Sequence, residues 1–148
     1  EKQKLWEARH NAYYAALAMR PGSKGWATDV CVPISRLADC ILETRSDIEE
    51  SELTVPLVGH VGDGNFHLLF LIDPENEEEE LKLYQPLNDR LVERALRMGG
   101  TCTGEHGIGS GKIKYMEAEH GESLDLMRQI KQAFDPDNLM NPGKMLPA

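Results

Sequence analysis

Two histidines seven positions apart carry the first chemical signal. The stretch His60-Val61-Gly62-Asp63-Gly64-Asn65-Phe66-His67 lies between the apolar runs 54–59 and 68–72. Asp-Gly tolerates the positive φ of a tight turn, so the pattern predicts a β-hairpin over residues 55–72, turning at Asp63-Gly64. That register sets His60 opposite His67, and directly opposed residues share a sheet face with Cβ atoms roughly 5 Å apart. Two imidazoles so placed can share one divalent ion. A second stretch, Gly104-Glu105-His106-Gly107-Ile108-Gly109, adds a carboxylate and a third imidazole on a backbone freed by its glycines. His60, His67 and Glu105 form a set that suits Zn²⁺, Mn²⁺ or Fe²⁺ with an open coordination position. His106, next in sequence, suits a general base, because imidazole titrates near neutrality. The bland alternative is a pair of packed or surface histidines. The glycine-rich loop lacks the Lys-Ser/Thr of a phosphate cradle, and nothing separates Cys102 from an ordinary buried thiol.

These groups need elements to hold them. Residues 2–19 read as a helix with Leu5, Ala12, Ala16 and Met19 on one stripe; Trp6, Arg9 and Tyr13 lie on a neighbouring face. Arg9 beside aromatic residues could anchor a carboxylate, but spacing alone favours a surface arginine. Residues 26–32 read as a strand with Asp29 pointing away from Thr28, Val30 and Val32. Residues 34–48 form an amphipathic helix through Leu37, Ile41 and Ile48. After the hairpin, Glu77 to Glu80 open a helix striped by Leu81, Tyr84, Leu87, Leu91, Ala95 and Met98 and closed by Gly99-Gly100. Four acidic residues there read as a solvated helix start. Thr101-Cys102-Thr103 is a short strand, residues 112–119 a short helix, and 123–134 a helix with Leu124, Met127, Ile130 and Phe134 in register. The order β-α-β-β-α-β predicts an α+β fold: a ferredoxin-like sandwich, an antiparallel sheet with helices packed on one face, plus N- and C-terminal helices.

The bulk properties narrow the function. The 148 residues are 41% apolar and 28% charged, with a formal net charge of −9. That is the size of one domain with a core of its own. A net acidic chain without a Lys/Arg cluster points away from nucleic acid. No apolar run approaches the roughly 20 residues that span a bilayer. Three widely spaced cysteines make neither a disulfide framework nor a zinc knuckle, which fits a reducing compartment. The chain opens on Glu1, as expected of a piece of a longer protein.

Taken together, the two stretches above, the run Asp135-Pro-Asp-Asn-Leu-Met-Asn-Pro-Gly-Lys144, Asp29-Val-Cys-Val-Pro-Ile-Ser-Arg-Leu37 and Trp6-Glu-Ala-Arg9 resemble the C-terminal domain of FAD-linked oxidases of the vanillyl-alcohol-oxidase type. The resemblance covers essentially residues 1–148, as one domain whose N-terminal FAD-binding partner domain lies outside the chain. It implies His60, His67 and Glu105 as metal ligands, His106 as the base for the substrate hydroxyl, and Arg9 as the holder of the substrate carboxylate. It also implies Asn65 and Asn141 as residues near the flavin.

The implied activity is oxidation of a D-2-hydroxy acid, D-lactate to pyruvate, with hydride transfer to FAD. D-2-hydroxyglutarate and glycolate are alternatives. Leu69, two places after the second histidine, and Thr28 favour a small apolar side group. The implied cofactors are FAD and a divalent metal, Zn or Mn. The implied partners are the FAD domain and a cytochrome c, quinone or electron-transfer protein, with a homodimer as a further option. The expected location is cytoplasmic or peripheral to a bacterial inner membrane, and mitochondrial in a eukaryote. The fragment alone is expected to be inactive. A stand-alone ferredoxin-like metal- or ligand-binding module is the competing class.

Overall fold

In chain order the elements are α1 (Lys2–His10), α2 (Ala12–Leu17), β1 (Lys24–Ala27), β2 (Val30–Cys31), α3 (Ile34–Ser51), β3 (Leu57–His60), β4 (Asn65–Ile72), α4 (Glu77–Arg97), α5 (Met116–His120) and α6 (Ser123–Phe134). They come from a computed structural model that describes residues 2–147; the side chains of Leu5 and Ala8, and so the Leu5 end of the expected stripe, lie outside the described residues.

Strand β4 organises the rest, because all of its residues are buried. Phe66, Leu68, Phe70 and Ile72 point to one side, into the main core with Leu37 and Cys40 of α3 and Tyr84, Leu87 and Leu91 of α4. Fully burying each such side chain stabilises the fold by about 1.5–3 kcal/mol. Leu69 and Leu71 point to the other side and meet Ala16 of α2. An apolar run without alternation is the mark of a strand covered on both faces. His67 and Asn65 continue the Leu69 face, so the candidate site lies on the side of the sheet opposite α3 and α4.

The other three strands pair with β4 antiparallel in a four-stranded sheet, giving the expected α+β architecture. Helices α3 and α4 lie as anticipated, with Leu37, Tyr84, Leu87, Leu91, Ala95 and Met98 buried. Gly99 takes φ +77° and ends the α4 region. All four glutamates that open α4 are engaged: Glu77 pairs with Lys24, Glu78 and Glu79 with Lys82, and Glu80 with Arg20 and the Asp73 amide.

Several sequence expectations need correction. The strand over 26–32 is broken: β1 and β2 follow one register along β4, with Ala27 opposite Leu69 and Val30 opposite Phe66, but the ladder lapses at Thr28-Asp29. The hairpin turn is longer than Asp63-Gly64. Val61–Asp63 coil into one 3-10 turn and Gly64 closes it at φ +75°. A side chain at Gly64 would place its Cβ 2.1 Å from the Val32 carbonyl oxygen. His60 therefore opposes Asn65, and His67 opposes Val58. This shift of two positions keeps both imidazoles on one face, as diagonal neighbours, because side chains alternate with period two.

The first helix divides at Asn11 and ends at Leu17, leaving Met19 exposed. The strand at 101–103 shrinks to a single bridge from Thr101 to Cys31. In α6 only Leu124 is buried; Ile130 and Phe134 face outward.

Candidate metal and substrate site

Glu105 Oε1 lies 3.0 Å from His67 Nε2 and 3.5 Å from His60 Nε2. The three ligand atoms fall within 4.8 Å of one another. Two donors on one tetrahedral zinc, each roughly 2.1 Å from it, sit about 3.4 Å apart, so the spacing fits a shared ion. The tautomer of His67 sharpens this. Its Nδ1 is 2.8 Å from the Thr28 carbonyl oxygen. A carbonyl only accepts, so Nδ1 carries a proton, and Nε2 faces the Glu105 carboxylate. A proton on Nε2 or a shared cation accounts for the 3.0 Å separation. The spacing of the three ligand atoms fits a divalent ion.

His106 stands outside this set. Its ring stacks on His67 with centroids 5.1 Å apart and planes 14° from parallel. Its Nε2 is 3.8 Å from Glu105 Oε1. Arg9 reaches the same place from the first helix: its Nη2 donates to His60 Nδ1 at 2.6 Å, which puts the proton of a neutral His60 on Nε2, so a metal on Nε2 would require Arg9 to release Nδ1; its guanidinium lies 5.7 Å from the Trp6 ring centroid. The arginine that spacing alone left on the surface thus comes to the site edge. The glycine loop is held close to the sheet, since a Cβ on Gly104 would fall 2.1 Å from Asn65 Nδ2.

The two asparagines part company. Asn65 is buried beneath the loop, where its Nδ2 donates to Asp29 Oδ1 at 2.7 Å and to the Val30 carbonyl at 3.0 Å. Its Oδ1 is buried with no hydrogen-bond partner among the described residues. Asn141, at φ +47°, lines a separate groove with Ile130, Phe134, Met140 and Met145. Sequence reasoning gave Asp29 no role, yet this side chain is fully buried under the site. Burial pushes its carboxyl up, but amide hydrogen bonds from His106 and Glu105, with side-chain bonds from Asn65 and Thr103, hold it well below the usual carboxylate range. An acidic residue inside an otherwise β-branched strand was the available signal.

Against His67 and His106 opens a cavity of about 140 Å³ walled by Tyr13, Ala16, Ala27, Val58 and Leu69. Ligand pockets for drug-sized molecules begin at roughly 300 Å³. This one is sized for a small group, and among the described residues no cationic one lines it.

A fold of this class with this loop pair has a match. Residues 1–145 match the family model described as FAD linked oxidases, C-terminal domain, and the chain belongs to that family. It is 52% identical over 146 residues, 98% of the chain and 29% of the relative, to the probable mitochondrial D-lactate dehydrogenase of Danio rerio. It is 46% identical over 150 residues, 98% of the chain and 25% of the relative, to the mitochondrial D-lactate dehydrogenase (cytochrome) 1 of Saccharomyces cerevisiae. The glycolate oxidase subunit GlcD of Escherichia coli is 34% identical over 148 residues, 99% of the chain and 29% of the relative. The chain thus spans between a quarter and a third of the length of these curated relatives.

Proposed function

We propose that the chain is the substrate- and metal-binding domain of a flavin-dependent D-2-hydroxy acid dehydrogenase that oxidises D-lactate to pyruvate. One observation carries the reading: Glu105 Oε1 converges on the Nε2 atoms of His60 and His67, while His106 stacks alongside without joining them. His60, His67 and Glu105 would hold a divalent ion, which would supply Lewis acidity toward the substrate hydroxyl. Arg9 pairs with the substrate carboxylate. His106 takes the hydroxyl proton. FAD, held mainly by a part of the protein outside this chain, would supply the hydride acceptor. Asn65, with its unpartnered buried Oδ1, and Asn141 are the residues offered to the flavin.

The apolar cavity supports lactate over its relatives. A methyl group fits a space of about 140 Å³ lined by Ala16, Ala27, Val58 and Leu69. A second carboxylate, as in 2-hydroxyglutarate, would find no cation there. Glycolate would leave the cavity unfilled; it stays the second reading because GlcD is among the relatives.

The rest of the protein has a surface to meet. Phe134 and Leu139 are 80% and 78% exposed, beside an apolar groove of about 390 Å³ under α6. That surface fits contact with the FAD domain of the same protein. A cytochrome as acceptor follows the name of the yeast relative, cytochrome c or a quinone is the acceptor the family resemblance implies, and a mitochondrial location follows both eukaryotic names. No helix among the described residues is long and apolar enough to cross a membrane.

The test uses the full-length protein loaded with FAD and metal. Replacing His106 with Ala should slow flavin bleaching by D-lactate by roughly 10²–10⁴-fold, the range of a lost general base, with metal content unchanged. Bleaching at the wild-type rate would refute the assignment.

A further inference from the structure

The break in the first strand is where the ladder would otherwise be simplest to continue. β1 and β2 share one register along β4, so Thr28 and Asp29 stand where backbone pairing with Leu68 and His67 would fall. Thr28 keeps half of that pairing, its N–H donating to the Leu68 carbonyl at 2.9 Å. The return bond is different. The Leu68 N–H donates to Thr28 Oγ1 at 2.8 Å, not to the Thr28 carbonyl. The freed carbonyl oxygen accepts from His67 Nδ1 at 2.8 Å. A threonine hydroxyl stands in for a backbone acceptor, and the backbone acceptor is released to fix an imidazole.

Asp29 is the other half of the break. Its Oδ2 accepts from two consecutive loop amides, Glu105 N at 3.0 Å and His106 N at 2.9 Å. The same oxygen accepts from Thr103 Oγ1 at 2.9 Å and Lys112 Nζ at 3.2 Å, and Lys112 Nζ also reaches the Asp29 carbonyl at 3.0 Å. Oδ1 takes Asn65 Nδ2 at 2.7 Å and lies 3.9 Å from His67 Nδ1. Every donor on this carboxylate comes from the site's own elements: the β4 start, the loop before Glu105, the loop itself and the segment after it. Charge-assisted bonds of this kind are about twice as strong as neutral ones. Among the described residues, the Glu105 and His106 amides have no other hydrogen-bond acceptor.

We propose that Thr28-Asp29 is the positioning element of the site, with Asp29 fixing the loop that carries Glu105 and His106 against the imidazole that Thr28 fixes. The inference rests on the metal-site reading above. Asp29 touches no substrate; it acts through the two loop amides. Partners at this remove from a metal typically govern 10–100-fold in affinity.

The experiment measures Zn²⁺ and Mn²⁺ dissociation constants by calorimetric titration of the full-length protein, alongside thermal unfolding without metal. Asp29→Asn keeps the shape but removes the charge and places an NH₂ group against Asn65 Nδ2 or the loop amides. A 10–100-fold loss of affinity in folded protein is expected. A loss smaller than tenfold overturns the proposal and leaves the three ligands standing, even if the unfolding temperature drops, because a merely structural role would cost stability without moving the constant. Should Asp29→Asn fail to fold, Thr103→Val decides. It removes one donor from Oδ2 and keeps the carboxylate. A loss of threefold or more supports the proposal, and a smaller one overturns it. If the wild-type protein binds neither ion, the metal reading itself fails and this inference falls with it.

Discussion

Filling the small cavity should separate lactate from glycolate. Ala27 sits at the end of β1 opposite Leu69, and both line the space beside His67 and His106. Ala27→Val adds two methyl groups and suits a strand position. In a space of about 140 Å³ the added carbons compete with the substrate methyl. Losing the burial of one methyl costs about 0.8 kcal/mol. Forcing the substrate methyl against the added carbons, a clash that exists only with lactate bound, adds about 1–3 kcal/mol. The total is about 2–4 kcal/mol, which is on the order of 30- to 700-fold in kcat/KM. Glycolate has no methyl, so its kcat/KM should stay within about threefold, a margin well under 1 kcal/mol. The assay is steady-state oxidation of D-lactate and glycolate by the full-length enzyme with a dye acceptor, wild type against variant. Equal losses on both substrates would refute the placement of the side group, because a general disturbance of the site does not discriminate. An unchanged rate on lactate would refute it as well.

Two further outcomes test the scaffold. Gly104→Ala should destabilise the protein by about 1–3 kcal/mol in urea unfolding, because its Cβ would meet Asn65 Nδ2 at 2.1 Å and Asp29 Oδ1 at 3.0 Å. Gly111→Ala, with nothing within 4 Å, should be neutral or slightly stabilising. Burial first, and then the neighbouring Glu119 carboxylate, push the Cys102 thiol up to about 12. A raised acid contributes stability that is complete below its ordinary value of 9.0 and lost as the pH climbs toward 12. Cys102 should therefore resist iodoacetamide at pH ~8 in the native protein and react after unfolding, as read by peptide mass mapping. Replacing it with Ala should flatten the loss of stability above pH ~9.

Much of this protein is written locally. The stripe Tyr84, Leu87, Leu91, Ala95 and the closing Gly99 fix α4, because helical period and a left-handed stop are properties of neighbouring residues. Helix α6 likewise spans Ser123–Phe134, as its spacing predicts. The chemical types at His60, His67, Glu105 and His106 are legible for the same reason: two short motifs contain all four. What remains outward on α6 was not legible, since a helical stripe declares an apolar face but not what covers it. The turn length was also hidden. Asp-Gly permits a two-residue turn, yet the Val32 carbonyl packed against Gly64 goes with a longer one. Only the alternation of side chains saved the imidazole pair from the change of register.

The sequence by itself determined the residue types at the candidate site and the two helices that back the sheet. Only the tertiary structure decided that Arg9 meets His60, 51 positions away, and that Asp29 grips amides 76 and 77 positions on. The physical reason is range. Periodicity and turn chemistry act within a few residues, whereas these bonds exist only once β4 has brought the first strand, the hairpin and the glycine loop to one face.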